Sequence, residues 1–207
     1  MVRPPSLEKI PLTPHQVLLV RHGATAWSKD GRHTGTTDLP LLPEGETEAR
    51  ALHTKLSALV GETPPGLVLS SPLTRSLDTA RLAGYDRDLG IDDNLVEWDY
   101  GLYEGRTTRE IQAERSGWEL FRDGCPGGET AAEVARRVGR VIDRMRSNHV
   151  LTGRPAILFA HGHVLRVLAS MWAGFGKEGG RALPFETGHV GVLGWSHDDP
   201  ALVRWNV

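Results

Sequence analysis

Arg21 and His22 follow the apolar run Val17 to Val20, Arg75 stands just beyond Leu67 to Ser70, and His161 follows Ala156 to Ala160. Two guanidinium and two imidazole groups, each placed where a short strand would end, suit an anion better than a cation. Arginine forks can grip the oxygens of a phosphoryl group through charge-assisted bonds and spread positive charge over a transition state whose negative charge lies on those oxygens. A neutral imidazole nitrogen is a competent nucleophile toward phosphorus, and neighbouring cations help to keep it unprotonated. His22 is assigned the attack, and His161 the role of a second imidazole bonded to the equatorial oxygens. Composition alone leaves the order of the two histidines open.

The blander readings compete. Taken alone, an Arg-His pair after a strand is usually a surface turn, and His161 and His163, two apart, could share a strand face as metal ligands. No carboxylate-rich motif accompanies those histidines, and arginines at the same site would repel a cation, so no metal and no cofactor are expected. Arg166 lies one turn beyond His163 and could face substrate or, as isolated arginines mostly do, solvent. Arg32 and His33 could line a pocket mouth, but a polar Gly/Thr loop explains them as well. Glu97, Asp99 and Glu104 are equal candidates for a proton donor on spacing. His15, His53, His149, His189 and His197 carry no motif, and Cys125 reads as a small packed residue.

The elements that must position these groups are legible from periodicity. Val17 to Val20, Leu67 to Ser70 and Ala156 to Ala160 are short apolar runs of buried strands. Ala49, Leu52, Leu56, Leu59 and Val60 keep a helical period from Glu44, with Thr63-Pro64-Pro65-Gly66 as the stop. Ser71 is placed to cap a helix with Pro72 at its first position, which puts Arg75 in the opening turn. Thr130 and Glu133 have capping-box spacing before the stripe Val134, Val138, Val141, Ile142 and Met145. Val164, Leu165, Leu168, Met171 and Trp172 mark a helix behind the third strand. Val190 to Trp195 and Leu202 to Asn206, flanking His197-Asp198-Asp199-Pro200, read as an antiparallel edge hairpin. Alternating strands and helices give the expected class: a three-layer α/β/α sandwich with a mainly parallel sheet and an antiparallel edge. Ligands of such sheets gather beyond the strand carboxyl ends, where the amides beginning near Gly162 would add positive charge.

The whole chain bounds the partners. Its 207 residues, 39% hydrophobic, are ample for one core, so residues 17–207 are expected to form a single domain behind a loose leader, 1–16, that carries four prolines. A net charge of -2, from 24 Lys+Arg against 26 Asp+Glu, gives no global attraction to nucleic acid or to an anionic membrane. One cysteine makes no internal disulfide, the leader lacks the apolar run of a signal peptide or membrane span, and a reducing cytoplasm is the expected location. A homo-oligomer is left open.

The motifs together resemble the histidine phosphatase superfamily, in the branch that includes the phosphoglycerate mutases. The signature Leu19-Val20-Arg21-His22-Gly23-Ala24-Thr25-Ala26-Trp27 is joined by Thr34-Gly35-Thr36-Thr37-Asp38, Ser70-Ser71-Pro72-Leu73-Thr74-Arg75, Glu97-Trp98-Asp99-Tyr100-Gly101, Gly127-Gly128-Glu129-Thr130 and His161-Gly162-His163, in order over nearly the whole chain. The resemblance implies that His22 is phosphorylated, that Arg21, Arg75 and His161 form the phosphate pocket, and that Glu97 gives the leaving oxygen its proton, without a metal. Ser28, Thr34, Gly35, Gly162 and Arg166 complete the expected phosphate- or substrate-binding set. Glu97 to Gly105 and Asp123-Gly124-Cys125 look most like sugar phosphatases of the sedoheptulose-1,7-bisphosphatase type, and a group of acid phosphatases is similar. Where the mutases carry a basic residue after the acid, this chain has Trp98-Asp99, and it is shorter than a typical mutase; both departures weaken the mutase reading. Ser28 stands where they usually have Asn, and its hydroxyl can still donate to phosphate but reaches less far. The expected reaction is hydrolysis of a small phosphorylated metabolite, sugar phosphates or bisphosphates first, with broad specificity open. A mutase and a non-catalytic phosphate-binding module are the alternatives.

Overall fold

The computed structural model describes residues 16–61 and 63–207; the expected leader, apart from Gln16, lies outside them. The elements are β1 (Val17–Arg21), α1 (Ala26–Lys29), α2 (Pro43–Val60), β2 (Leu67–Ser70), α3 (Thr74–Leu82), β3 (Gly90–Ile91), α4 (Thr108–Glu114), α5 (Leu120–Asp123), α6 (Ala131–Thr152), β4 (Ala156–Ala160), α7 (Gly162–Trp172), β5 (Val190–Ser196) and β6 (Asp199–Arg204). One six-stranded sheet runs in the order β3-β2-β4-β1-β5-β6. β3, β2, β4 and β1 are parallel, and β5 and β6 are antiparallel to their neighbours.

Side chains alternate across a strand, so the short apolar runs feed two cores. Leu18, Val20, Ile157 and Phe159 face Leu52 and Leu56 of α2 and Ala80 of α3. Leu19, Leu158 and Ala160 face Val134, Val138 and Val141 of α6 and Leu165 and Leu168 of α7. The sheet is therefore covered on both faces, in the three layers expected. Each of the Val, Leu, Ile and Phe side chains among these, withdrawn from water, contributes roughly 1.5–3 kcal/mol of burial. Cys125 lies in the second core, and burial pushes its thiol up to about 12.

Three boundaries differ from the sequence reading. α2 ends at Val60 with Gly61, whose φ of +67 suits glycine, as its C-cap, before the Pro-Pro pair. Ser71 does not cap α3. The N-cap is Leu73, without a side-chain bond, and the carboxylate of Asp38 accepts the Thr74 backbone N–H at 2.9 Å and its hydroxyl at 2.7 Å. The terminal hairpin turns at His197-Asp198 alone, and His197 has a φ of +57; Asp199 and Pro200 already pair with Ser196 and Trp195. Pro200 is tolerated because β6 is an edge strand.

The order β2-β4-β1 sets three strand ends side by side, which is what positions the site. The ladder runs one residue past each end: His22 donates its N–H to Ala160 and Ser71 donates to Phe159, both at 3.0 Å. Beyond β1 the chain crosses the first turn of α2 with backbones touching. A Cβ on Gly23 would lie 2.2 Å from the Gly45 carbonyl, and one on Gly45 2.1 Å from that of Ala24.

Candidate active site

The ring of His22 is 5% exposed at the end of β1. Its Nδ1 lies 2.7 Å from the Gly23 carbonyl, which can only accept, so Nδ1 carries the proton and Nε2 keeps its lone pair. Burial, and then the charges of Arg75 and Arg21, hold this imidazole well below its usual value, so it is neutral at pH 7. His161 stands 5.2 Å away, ring centre to ring centre. Its Nδ1 accepts from Arg75 Nε at 3.1 Å, which forces the proton onto Nε2, and Nε2 donates to Ser71 Oγ at 2.8 Å. Burial first, then Arg75 and His22, keep His161 neutral as well.

The two arginines differ. Arg75 is fully buried, and its guanidinium donates to the carbonyls of Thr37, Thr34 and Gly35 besides His161. It ties the 34–37 loop to α3 and supplies charge behind the two imidazoles. Arg21 donates through Nη1 to the Phe185 carbonyl, but its buried Nε has no partner among the described residues. An orphaned guanidinium N–H is costly unless a ligand completes it. Gly162 allows the group its place: a Cβ there would lie 3.3 Å from Arg21 Cζ and Nε.

A cavity of about 180 Å³ opens over this cluster. Of the residues expected from sequence, Arg21, His22, Ser28, Thr34, Glu97, Gly162 and Arg166 line it. Arg75, His161 and Gly35 do not, and Arg75 and His161 stand behind its floor. Ser28 Oγ serves the Thr25 cap of α1, bonded to that residue's N–H and carbonyl. Gly35 donates to the carboxylate of Glu104. Arg166, for which solvent was the competing reading, lies over the Phe121 ring at 4.7 Å and donates to the Gly180 and Arg181 carbonyls.

The three carboxylates that spacing left equal are separated by their partners. Glu104 is committed to the Gly35 and Thr37 amides, and Asp99 Oδ1 accepts from the Gly101 N–H. Glu97 alone of the three lines the cavity. Its carboxylate accepts the N–H groups of Trp98, His163 and Val164, at 2.8, 2.9 and 2.9 Å, and so closes the amino end of α7. The loop that carries Glu97 is clamped by Arg137, which donates to the carbonyls of Asn94, Val96 and Glu97 and forms a two-bond fork with Glu129. The sequence reading left Thr108, His163 and Phe185 without a place in the site, yet all three line the cavity, together with Tyr100, Arg32 and His33. For His163 the His-Gly-His triplet was a signal; for Phe185, brought in by the loop before β5, there was none. Among the described residues, no group of three or more histidine, cysteine, aspartate or glutamate side chains is placed to hold a metal, and no helix is long and apolar enough to cross a membrane.

Known proteins carry the same pattern. The model of the histidine phosphatase superfamily, branch 1, matches residues 17–207. An acid phosphatase of Mycobacterium tuberculosis is 37% identical over 183 residues, 88% of each chain. A sedoheptulose 1,7-bisphosphatase of Saccharomyces cerevisiae is 38% identical over 193 residues, 81% of this chain and 70% of that one. The solved structure of an open reading frame from Mycobacterium tuberculosis superimposes with a TM-score of 0.87 at 35% identity, covering 93% of this chain and 97% of the other.

Proposed function

This chain belongs to the histidine phosphatase superfamily, and we propose that it is a metal-independent phosphatase that hydrolyses small phosphorylated metabolites through a phosphohistidine on His22. One observation carries the reading: the neutral His22, with Nε2 unprotonated, and the unpaired Arg21 Nε border one cavity with Glu97. The relatives named acid phosphatase and bisphosphatase support it.

His22 Nε2 attacks phosphorus in line, a P–N bond forms, and the P–O bond to the alcohol breaks. Arg21 binds the transferring oxygens directly, while Arg75 and the Gly162 amide add positive potential. Glu97 passes a proton carried in by the phosphate monoester to the departing alkoxide. Water then gives its proton back to Glu97, attacks the phosphohistidine and releases inorganic phosphate, which restores the neutral imidazole.

The residues after Glu97 favour hydrolysis over mutase chemistry. Trp98 is buried, and Asp99 turns its carboxylate to Gly101, so the two residues that follow the acid supply no cation for the carboxylate of a carboxylated monophosphate. Arg32 and Arg166 add two positive charges to the wall beyond those a single phosphoryl group needs, which favours sugar bisphosphates. His22→Ala is expected to abolish phosphate release from sugar phosphates, and acid-sensitive phosphohistidine is expected in wild-type enzyme quenched during turnover. Residual turnover near the wild-type rate in His22→Ala would overturn the mechanism.

A further inference from the structure

The chemistry above makes no use of the cavity wall formed by His33, Tyr100, Thr108 and His163. Tyr100 is 1% exposed, and its Oη lies 2.6 Å from His163 Nδ1. The phenol has no other polar partner among the described residues, so its proton is used only by donating to that nitrogen. Nδ1 then accepts, and the neutral ring must carry its hydrogen on Nε2. Among the described residues Nε2 has no partner either. The fully buried side-chain atoms without one there are Gln16 Oε1 and Arg21 Nε; His163 Nε2 is not among them, and its ring lines the cavity. The N–H therefore opens on the space where the alcohol half of a substrate would lie.

Its surroundings keep the pair neutral. Burial, and then the charge of Arg166, hold His163 well below the usual imidazole value, and burial, followed by Glu97, holds the Tyr100 phenol well above its own. His33 lies against Tyr100 with ring centres 4.6 Å apart and planes tilted by 36°, and burial pushes it down to about 4. The His163 backbone N–H is bonded to Glu97, so the outward-facing imidazole stands beside the group that meets the leaving oxygen.

We propose that His163 is a specificity-determining residue, whose Nε2–H donates a hydrogen bond to a hydroxyl on the alcohol portion of the substrate, and that Tyr100 is the positioning residue that fixes its tautomer. The inference rests on the phosphatase reading and deepens it: a wall built around a neutral donor favours a polyol phosphate over an ester without hydroxyls. A site that hydrogen-bonds a hydroxyl rejects the analogue that lacks one, because its polar group is then left unpaired.

The test compares a sugar phosphate with p-nitrophenyl phosphate, which has no hydroxyl to offer. His163→Phe is expected to raise KM for the sugar phosphate about tenfold, with a smaller fall in kcat, and to change kcat/KM for the aryl ester less than about threefold. The double variant His163→Phe/Tyr100→Phe, which leaves no buried phenol stranded, is expected to show the same split. His163→Gln, whose amide N–H reaches to the same depth, is expected to recover most of the loss. A long-range 1H–15N spectrum of the wild-type enzyme should show the Nε2–H form of His163, and Tyr100→Phe should populate the other form. Equal losses on the two esters, no loss on either, or an Nδ1–H tautomer in the wild type would each overturn the inference while leaving the phosphatase reading intact. Wild-type enzyme that released phosphate from neither ester would overturn both.

Discussion

At His22 a single carbonyl decides which nitrogen can attack. Because Gly23 takes the Nδ1 proton, the lone pair sits on Nε2 without help from a general base, and the same logic, run through Arg75, puts the His161 proton on Nε2. His161 thus reaches Ser71 rather than the cavity. Glu97 acts at the other end of the reaction, and its contribution depends on how much the leaving oxygen needs a proton. Glu97→Gln is therefore expected to lower kcat about a hundredfold on an alkyl phosphate and less than tenfold on p-nitrophenyl phosphate, whose phenolate leaves unaided. Equal losses in steady-state assays on the two would remove Glu97 from the acid role. Gly162 tests the other side of the phosphoryl group. Its substitution by alanine places a methyl 3.3 Å from the Arg21 guanidinium, which must shift by a few tenths of an ångström. Misplacement on that scale is expected to cost about tenfold in kcat/KM and to weaken inhibition by inorganic phosphate, with an unchanged circular dichroism spectrum. Retention of full activity would mean that Arg21 is not the group that grips the phosphate.

At the scale of elements, the strand ends bring His22 and His161 together, but side chains far away in sequence hold them there. Asp38 closes the amino end of α3, Glu97 closes that of α7, and the Arg137–Glu129 fork fixes the loop that presents Glu97. The apolar runs of β1, β2 and β4 and the stripes of α2, α6 and α7 were readable because burial on one face writes a period into the sequence. Caps supplied from a distance leave no local trace, which is why Ser71 looked like a cap and is instead a partner of His161. α4 was readable in principle: Thr107 and Glu110 have capping-box spacing and form the box. β3, two residues long, carries no periodicity at all. Phe185 and the inward turn of Tyr100 follow from tertiary packing that no local pattern encodes. The fork yields a prediction at this scale. Arg137→Leu strands the partly buried Glu129 carboxylate and three carbonyls, so it is expected to lower stability by about 3 kcal/mol in urea denaturation. It should also lower kcat, because the Glu97 carbonyl loses its tether. The double change Arg137→Leu/Glu129→Met should cost less than the sum of the two single changes. Simple additivity would mean that the fork does not act as a unit.

Over the whole molecule, the site sets the pH dependence of folding. His22, His161 and His163 are each held well below 6.5, by burial first and by neighbouring arginines after it, and burial alone pushes His33 down to about 4. In the unfolded chain all four take up protons near pH 6.5, while the native protein does not. Stability is therefore fully present above about pH 6.5, falls as the pH drops below it because the unfolded state binds more protons, and continues to fall until each native imidazole is itself protonated. For His33 the interval from 6.5 to about 4, at roughly 1.4 kcal/mol per pH unit, amounts to on the order of 3 kcal/mol. The carboxylates held below their usual range, Glu44, Glu110, Asp123 and Glu133, destabilise in the same direction but only at more acid pH, so the two windows are separable. Thermal unfolding without phosphate is expected to give a Tm that is flat from pH 8 to 7 and drops steadily from about 6.5 to 4.5. His33→Gln, which lines the cavity without titrating, should flatten part of that drop. Inorganic phosphate, by binding the native state, should raise Tm at neutral pH in proportion to its occupancy. A Tm constant between pH 7 and 5 would show that these imidazoles are hydrated in the native protein, and the neutrality on which attack by His22 depends would then have to come from the arginines alone.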